Sequence, residues 1–291
     1  MKITIIGANG MLGQPVAQQL IDSGFEVSII ARFPQKIKAI FQNAKIIQGD
    51  VFDEKSLENA LQGQDLVYLN LSVLQTELQQ QPHTEAEGLA NVLKVSKAVG
   101  VKHIAYLSSM VMDYQGTNGF DWWVFGIKHE AVNMIKASGL GYSIFYPSTF
   151  MESLPMQTQG IMLGMIGHSQ HKMWFIAAKD YAKQVAKSFD GMQLTKQASY
   201  YIQGPVALDY QQASRIYVKN HPSPFLFIMT LPTWLVKLMG KVIPKMNYAH
   251  HICEALNNYP EPLLAAQTWE QLGKPTTTLV DFVKGIKQNG W

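Results

Sequence analysis

The first 24 residues constrain the fold more than any other stretch, because they read as a strand, a glycine turn and a helix in immediate succession. Lys2–Ile6 is a short apolar, β-branched run that predicts a buried strand. Gly7, Gly10 and Gly13 follow at three-residue spacing, and the helical apolar pattern after them ends at Gly24. Such a turn brings backbone N–H groups and the positive end of a helix against a phosphate. The segment predicts a dinucleotide site, with an ordinary strand–helix turn as the alternative.

Each of the three glycines has a separate expected role in that turn. Gly7 is expected to allow the tight turn, and Gly13 to let the helix pack on the strand. A β-carbon at Gly10 would occupy the place of the phosphate.

Strand patterns and helical patterns alternate up to about residue 146. Further strands are predicted at 26–31, 44–48, 65–70, 102–107 and 142–146, and helices at 34–41, 54–61, 83–99 and 122–138. This alternation is typical of βαβ crossovers and of a parallel sheet with helices on both faces. We predict a doubly wound α/β sheet of the Rossmann type in residues 1–150. Residues 151–291 are predicted to form a smaller, mainly helical substrate lobe, some of which packs back on the sheet.

Within residues 151–291, two segments have expectations of their own. Residues 160–171, rich in Met and Gly, predict a mobile lid or a loose surface loop. Helices are expected at 178–189, 208–218, 224–240, 248–257 and 276–287, and a strand and turn at 200–205.

Charge and cysteine content exclude several classes of function. The chain has 24 Lys and Arg against 21 Asp and Glu without a dense basic block, so it lacks the electrostatic footprint of a nucleic-acid-binding protein. Its one cysteine, Cys253, excludes an internal disulfide and a multi-cysteine metal site, and we expect no bound metal.

No segment has the pattern of a membrane span or a targeting peptide. The most apolar window, residues 224–240, is too short to span a bilayer and is interrupted by Pro232 and Lys237. Lys237, Lys241 and Lys245 recur every four positions, which leaves attachment to a membrane surface as a minor alternative. Because Met1 and Lys2 lead directly into the first strand, we expect no signal peptide and a cytoplasmic protein. We expect a monomer or a homodimer.

Polar residues after the predicted strands favour particular parts of a dinucleotide. Arg32 follows strand two, where an NAD-binding protein usually has an acidic residue, so Arg32 is expected to pair with the 2′-phosphate of NADP. A surface arginine is the alternative. Asp50 is expected to accept from adenine with Val51 against the ring, or to cap the next helix, or both. Residues 70–72 follow strand four, near the topological switch point.

These motifs together resemble a known family. The segments GANGMLG (7–13), GDVFD (49–53), residues 87–109 and residues 128–150 are similar to the atypical short-chain dehydrogenases/reductases, in particular to their NmrA-like, NAD(P)H-binding branch. The resemblance implies NADP as cofactor, or NAD in its place, bound by Gly7, Asn9, Gly10, Met11, Leu12, Gly13, Arg32, Asp50, Val51, Asn70, Leu71, Ser72, Ser108, Lys128, Tyr146, Pro147, Thr149 and Phe150.

The resemblance also implies catalytic residues, with one departure from the family pattern. Short-chain dehydrogenases use a Tyr-x-x-x-Lys pair and a serine. Lys128 and Ser109 match the lysine and the serine, but Val124 stands in the tyrosine position. Tyr114 is a candidate substitute acid, and a solvated helix lysine is the alternative for Lys128. Tyr146 replaces the arginine that many relatives have before Pro147, and could form an aromatic wall.

Two functions are consistent with these residues. The first is an NADPH-dependent oxidoreductase that acts on a small hydrophobic or quinone-like acceptor without the usual tyrosine. The second is a non-catalytic regulatory protein of the NmrA type that senses NAD(P)(H). Val124 favours the second, and the Met-rich and aromatic lobe favours the first.

Overall fold

The computed structural model describes residues 1–289, with the side chains of residues 1–286. Its strands are β1 (Lys2–Ile6), β2 (Glu26–Ala31), β3 (Lys45–Gln48), β4 (Leu66–Leu69), β5 (His103–Leu107), β6 (Gly141–Pro147), β7 (Thr158–Gln159), β8 (Met162–Ile166), β9 (Met173–Trp174), β10 (Gln197–Ile202), β11 (Ala207–Leu208) and β12 (Phe227–Leu231). Its helices are α1 (Gly13–Asp22), α2 (Glu54–Leu61), α3 (Leu89–Val99), α4 (Trp123–Ala137), α5 (Ser153–Met156), α6 (Ala178–Phe189), α7 (Tyr210–Asn220), α8 (Thr233–Gly240), α9 (Pro244–Asn258), α10 (Ala266–Leu272) and α11 (Leu279–Asn289).

The main sheet has seven parallel strands in the order β10-β6-β5-β4-β1-β2-β3. Strand order reverses between β1 and β4, and this switch point is where ligands bind in open α/β sheets. The Rossmann-type doubly wound sheet is confirmed. After residue 150, β10 joins the edge of this sheet and α6 packs beside α1. The division of the chain at residue 150 itself stays a prediction.

The core lies on both faces of the sheet, as the alternation of side chains along a strand requires. Ile3 and Ile5 of β1 pack in one layer with α1 and α6, whereas Ile6 packs in the other with α2, α3 and α4. The buried hydroxyls of Tyr68 and Tyr181 lie 2.8 Å apart and join β4 to α6.

Two helix predictions in the first 150 residues were wrong in detail. Residues 34–41 contain only a 3₁₀ turn, Pro34–Lys36, because the segment is short and Phe33 provides no side-chain cap. The helix expected at 83–99 begins as a π-helical turn, Thr84–Gly88, before α3. Such turns often occur at functional sites.

The lobe contains more strand than expected. Residues 224–240 are not one helix: β12 pairs with β8, Pro232 follows, and α8 begins at Thr233. Proline cannot donate within a helix and favours such a boundary. The lid or loop expected at 160–171 is also wrong for residues 162–166, because β8 buries Leu163 and Met165 in the lobe core.

Candidate functional site

A cleft of about 820 Å³ lies at the carboxyl ends of the main-sheet strands, across the switch point. This volume falls near the upper end of the range for ligand pockets, which suits an extended ligand. The cleft brings together nearly all of the residues expected from the sequence, namely Gly7, Asn9, Gly10, Met11, Leu12, Arg32, Asp50, Val51, Asn70, Leu71, Ser72, Ser108, Ser109, Lys128, Pro147, Thr149 and Phe150. Gly13 and Tyr146 are not among its lining residues.

The three glycines of the turn are required for different physical reasons. Gly7 has φ +88°, and a Cβ there would lie 2.1 Å from the carbonyl oxygen of Asn70. A Cβ at Gly13 would lie 2.1 Å from the carbonyl oxygen of Gly7, so Gly13 permits the close packing of α1. Gly10 is exposed in the cleft, and the closest atom to its Cβ would be Asn70 Nδ2, at 3.3 Å. Glycine at position 10 therefore keeps cleft space open rather than relieving a clash within the protein.

Asn70 fastens this turn to the sheet. Its backbone N–H donates to Ile6 (2.9 Å), and its side-chain Nδ2 donates to the carbonyl oxygen of Gly7 (3.1 Å). Met11 and Leu12, which directly precede α1, border the cleft, so the amino end of this helix lies beside it. The turn is thus held in a shape that fits a diphosphate.

The end of the cleft beside β2 and β3 is basic. Arg32 and Lys36 both line it and are exposed, and the Lys36 ammonium lies 4.9 Å from the centre of the Phe33 ring. Arg32 forms no ion pair with any residue of the described chain. An exposed guanidinium of this kind is available to a phosphate.

The two alternatives for Asp50 are separated by the structure. Asp53, not Asp50, caps α2: its side chain accepts from the N–H groups of Lys55 and Ser56. Asp50 lines the cleft, and its Oδ1 accepts from the Phe52 N–H at 3.0 Å. The expectation that Asp50 caps the helix was wrong, which leaves its carboxylate for a ligand.

Lys128 is not the solvated helix lysine of the alternative interpretation, because it lines the cleft and is paired with a buried carboxylate. Its Nζ donates to Oε1 of Glu85 at 2.7 Å, and the Tyr106 hydroxyl donates to the same oxygen. Glu85 is fully buried, and Oε2 has no hydrogen-bond partner in the described chain. Burial, together with the nearby Glu85 carboxylate, raises the pKa of Tyr106 well above its ordinary value. Lys128 is therefore a nearly buried cation at the cleft wall, and its position is held by an ion pair with the buried carboxylate of Glu85.

Sequence reasoning missed both partners of Lys128. Glu85 sits in the acidic pattern T-E-A-E of residues 84–87, which resembles the solvated first turn of a helix. Tyr106 belongs to a uniformly apolar strand pattern. The π-helical turn is what directs Glu85 inward, and no signal in the sequence predicts that turn.

No tyrosine lines the cleft within the described residues. Val124, at the position of the family tyrosine, is buried. The expectation that Tyr114 approaches the site was wrong, because Tyr114 is buried with its ring 5.0 Å from that of Phe120. Tyr146 stacks on Tyr201 at 5.3 Å instead of forming a cleft wall, and burial raises the pKa of Tyr146 to about 12.

The serines and the strand-six turn complete the sheet side of the cleft. Ser109 lines it, whereas the hydroxyl of Ser108 is buried and donates to the sulfur of Met112 at 3.3 Å. Thr149 donates to the sulfur of Met173 at 3.1 Å. Ser109 is thus the better placed of the two serines to contact a ligand.

The lobe closes the cleft with groups that the sequence did not indicate. Ile252 and Leu256 of α9 are part of its lining, and so is Glu261. Glu261 accepts from Ser148 (2.7 Å) and Gln203 (2.6 Å), and burial raises its pKa. These contacts hold the chain after α9 against the end of β6.

Two further features of the described chain concern metals and membranes. Among residues 1–289, no cluster of three or more His, Cys, Asp or Glu side chains is placed to bind a metal ion. Burial raises the pKa of the Cys253 thiol to about 12. No helix in these residues is long and apolar enough to cross a bilayer.

Comparison with known proteins identifies the family. The profile of a family described as NAD(P)H-binding matches residues 7–190. Quinone oxidoreductase 2 of Escherichia coli K12 is 30% identical over 193 residues, covering 64% of this chain and 63% of that protein. An NmrA-like family domain-containing oxidoreductase of Aspergillus japonicus is 31% identical over 110 residues, covering 36% of this chain and 33% of that protein. The chain thus spans less than two thirds of these curated relatives.

The fold likeness extends further than the sequence likeness. The crystal structure of the NADPH-dependent quinone oxidoreductase QOR2 of Escherichia coli complexed with NADPH superposes with a TM-score of 0.74, at 23% identity over 98% of this chain and 99% of that one. The resemblance to NmrA-like, atypical short-chain dehydrogenases/reductases is confirmed. The chain belongs to the NAD(P)H-binding family.

Proposed function

We propose that this protein is an NADPH-dependent reductase of a small, flat, hydrophobic acceptor of the quinone type. One observation carries the proposal: the Lys128–Glu85 ion pair borders a cleft whose neighbouring walls are apolar, formed by Leu71, Leu74, Val111, Ile252 and Leu256. An apolar slot beside one fixed cation suits a flat ring whose oxygen atom can accept a hydrogen bond from that cation.

The proposed cofactor fits the residues in place. The turn at Gly7, Gly10 and Gly13 would hold the diphosphate, Arg32 the 2′-phosphate, and Asp50 with Val51 the adenine. Ser72 and Lys128 also line the cleft and would contact the nicotinamide half. Bound NADPH supplies a hydride, so a quinone needs one further proton to become the hydroquinone.

The residues of this chain provide positioning and a proton. Lys128 Nζ carries protons at the cleft wall, and Glu85 keeps the ammonium in one place. Ser109, which lines the cleft, would donate to the acceptor oxygen. Ile252 and Leu256 exclude water from the reacting end, which strengthens each of these polar contacts.

A second function remains because a specific observation favours it. Val124 is buried, and among the residues that the structure describes no tyrosine lines the cleft in its place, so these residues do not provide the usual proton donor of the superfamily. A protein with this arrangement can bind NAD(P)(H) and report the ratio of its forms without catalysis.

One experiment separates the two functions. We expect NADPH to bind in calorimetry and to be oxidised in the presence of a panel of quinones. Replacing the proton donor, in Lys128→Met, should lower kcat by about 100-fold or more, whereas Glu130→Gln, an exposed change on the same helix, should not. Tight binding without turnover of any acceptor would favour the sensor, and absence of nucleotide binding would exclude both functions.

A further inference from the structure

The α8–α9 hairpin exposes large apolar side chains at its tip. Trp234 is 68% exposed, Leu238 55%, Val242 84% and Ile243 42%. Trp234 and Leu238 lie one turn apart on α8, and Val242 and Ile243 follow in the turn that leads into α9. We call this surface, with the lysines described next, the hairpin tip.

Three exposed lysines accompany these apolar side chains along the hairpin. Lys237 is on α8, Lys241 is in the turn and Lys245 is in the first turn of α9. Residues 210–253 contain five Lys and Arg and no Asp or Glu, whereas the rest of the chain has 19 Lys and Arg and 21 Asp and Glu. The net positive charge of the whole protein is therefore concentrated in the segment that contains the hairpin tip.

The apolar side chains and the lysines of the hairpin tip point away from the protein interior. Helix α8 packs on α9 through Val236 and Gly240, both buried, and a Cβ at Gly240 would lie 2.9 Å from the Cα of Asn247. Exposed apolar groups of this size on a monomer usually mark an interaction surface.

We propose that the hairpin tip binds the surface of an anionic lipid bilayer. Trp234, Leu238 and Val242 would enter the boundary between headgroups and acyl chains, and the three lysines would meet anionic headgroups. A second copy of the chain fits the surface poorly, since a twofold interface would bring the two sets of lysines close together and like charges repel.

The hairpin tip adjoins the cleft. Lys241 and Val242 line a smaller cavity of about 260 Å³ together with residues 75, 77–80 and 122–124, and Glu77 lines this cavity as well as the main cleft. A docked protein would hold its cleft near the bilayer, where hydrophobic acceptors dissolve. Lipid binding itself does not depend on the proposed reaction.

The test is flotation of the full-length protein with two kinds of vesicle. One is phosphatidylcholine alone and the other is phosphatidylcholine with phosphatidylglycerol. We expect binding to the anionic vesicles that weakens with salt. The variant K237Q/K241Q/K245Q should bind about 100-fold more weakly, at roughly fivefold per lysine, and W234Q/V242Q should also lose binding.

The matched control is K55Q/K97Q/K102Q, which removes the same charge at exposed lysines of the Rossmann part outside the cleft. All variants should keep the thermal midpoint and the NADPH affinity of the parent. Equal losses in the two triple-lysine variants, or no binding of the parent to anionic vesicles, would overturn the proposal. So would a dimer in sedimentation velocity that the W234Q/V242Q substitutions dissociate, because the surface would then belong to a second copy.

Discussion

At the scale of single residues, the carboxylate of Glu85 has the largest consequence for the site. It is fully buried and its one paired oxygen contacts both Lys128 and Tyr106. A buried carboxylate without its counter-charge is costly, so the three groups depend on one another. Lys128 therefore faces the cleft in a fixed position instead of moving in solvent as an exposed helix lysine would.

We predict that Glu85→Gln lowers kcat for quinone reduction about tenfold while the Kd for NADPH changes little. Glutamine can still accept from Lys128 but no longer balances its charge, so the ammonium is held less firmly. Steady-state kinetics and calorimetry, with Glu130→Gln as the exposed control, measure this; a larger effect on NADPH binding than on kcat would contradict it.

A second buried carboxylate, Glu152, should make stability depend on pH. Burial raises the pKa of Glu152 to about 7 from its ordinary 4.5, although the Ala178 N–H donates to Oε1. Because the native carboxyl holds its proton more tightly than the unfolded one, the free energy of unfolding falls as pH rises from about 4.5 to about 7. Above this window the ionised group costs up to about 3 kcal/mol.

Glu152→Gln should remove that cost. We expect the variant to melt at a higher temperature than the parent well above pH 7 and at a similar temperature near pH 4.5. Thermal unfolding across this range checks the expectation, and a difference in melting temperature that does not vary with pH would contradict it.

Arg32 should determine the choice of nucleotide. Removing the guanidinium in Arg32→Ala is expected to weaken the binding of NADPH roughly 10- to 100-fold, which is the usual contribution of a charge-assisted hydrogen bond. The affinity for NADH should change by no more than about a few-fold. Lys38→Ala, an exposed lysine outside the cleft lining, is the control. Calorimetry with both nucleotides decides, because equal losses for NADPH and NADH would remove the preference for NADP.

At the scale of elements, two substitutions in the glycine turn between β1 and α1 should have different effects, one on the stability of the fold and the other on nucleotide binding. Gly7→Ala would place a Cβ against the Asn70 carbonyl at a backbone angle that favours glycine, so it should destabilise the fold by several kcal/mol. Gly10→Asp should fold, because the atom closest to its Cβ is the side-chain Nδ2 of Asn70, at 3.3 Å, which can shift slightly. It should nevertheless abolish nucleotide binding by filling the cleft with a negative charge.

Chemical denaturation and calorimetry on the two glycine variants measure these effects separately. A folded Gly10→Asp protein with unchanged NADPH affinity would show that the diphosphate does not lie over this turn. Parent-like stability of Gly7→Ala would show that the turn is less constrained than its geometry indicates.

At the scale of the whole molecule, the cleft is built from both parts of the chain. Main-sheet residues form one wall, and α9 with Glu261 forms the other, so a ligand stabilises their native association. We expect NADPH at a hundredfold excess over its Kd to add about 3 kcal/mol to the free energy of unfolding. This corresponds to a rise in melting temperature of roughly 5–10 °C. Differential scanning calorimetry measures it, and Gly10→Asp should show no rise.

Elements with strong local patterns were predictable. Residues 26–31, 54–61 and 178–189 form elements with the predicted bounds, because alternation, helical periodicity and boundary residues all agree there. The elements within residues 224–240 could not be predicted in this way, since an apolar run of this length fits a buried helix or a strand equally well. Pairing with β8, which is distant in the sequence, decides for the strand.

The parallel sheet, the glycine turn and most of the residues at the cleft could be predicted from the amino-acid sequence, because they depend on local patterns and on the rule that parallel strands end at one edge. Which polar groups contact one another could not be predicted, and became known only from the packing of the folded chain. In the folded chain Glu85 points inward and pairs with Lys128, and Asp53 rather than Asp50 caps α2. Tyr114 and Tyr146 pack against other aromatic rings and lie outside the cleft lining. Such pairings depend on burial and on contacts between distant segments, and periodicity along the chain carries no information about either.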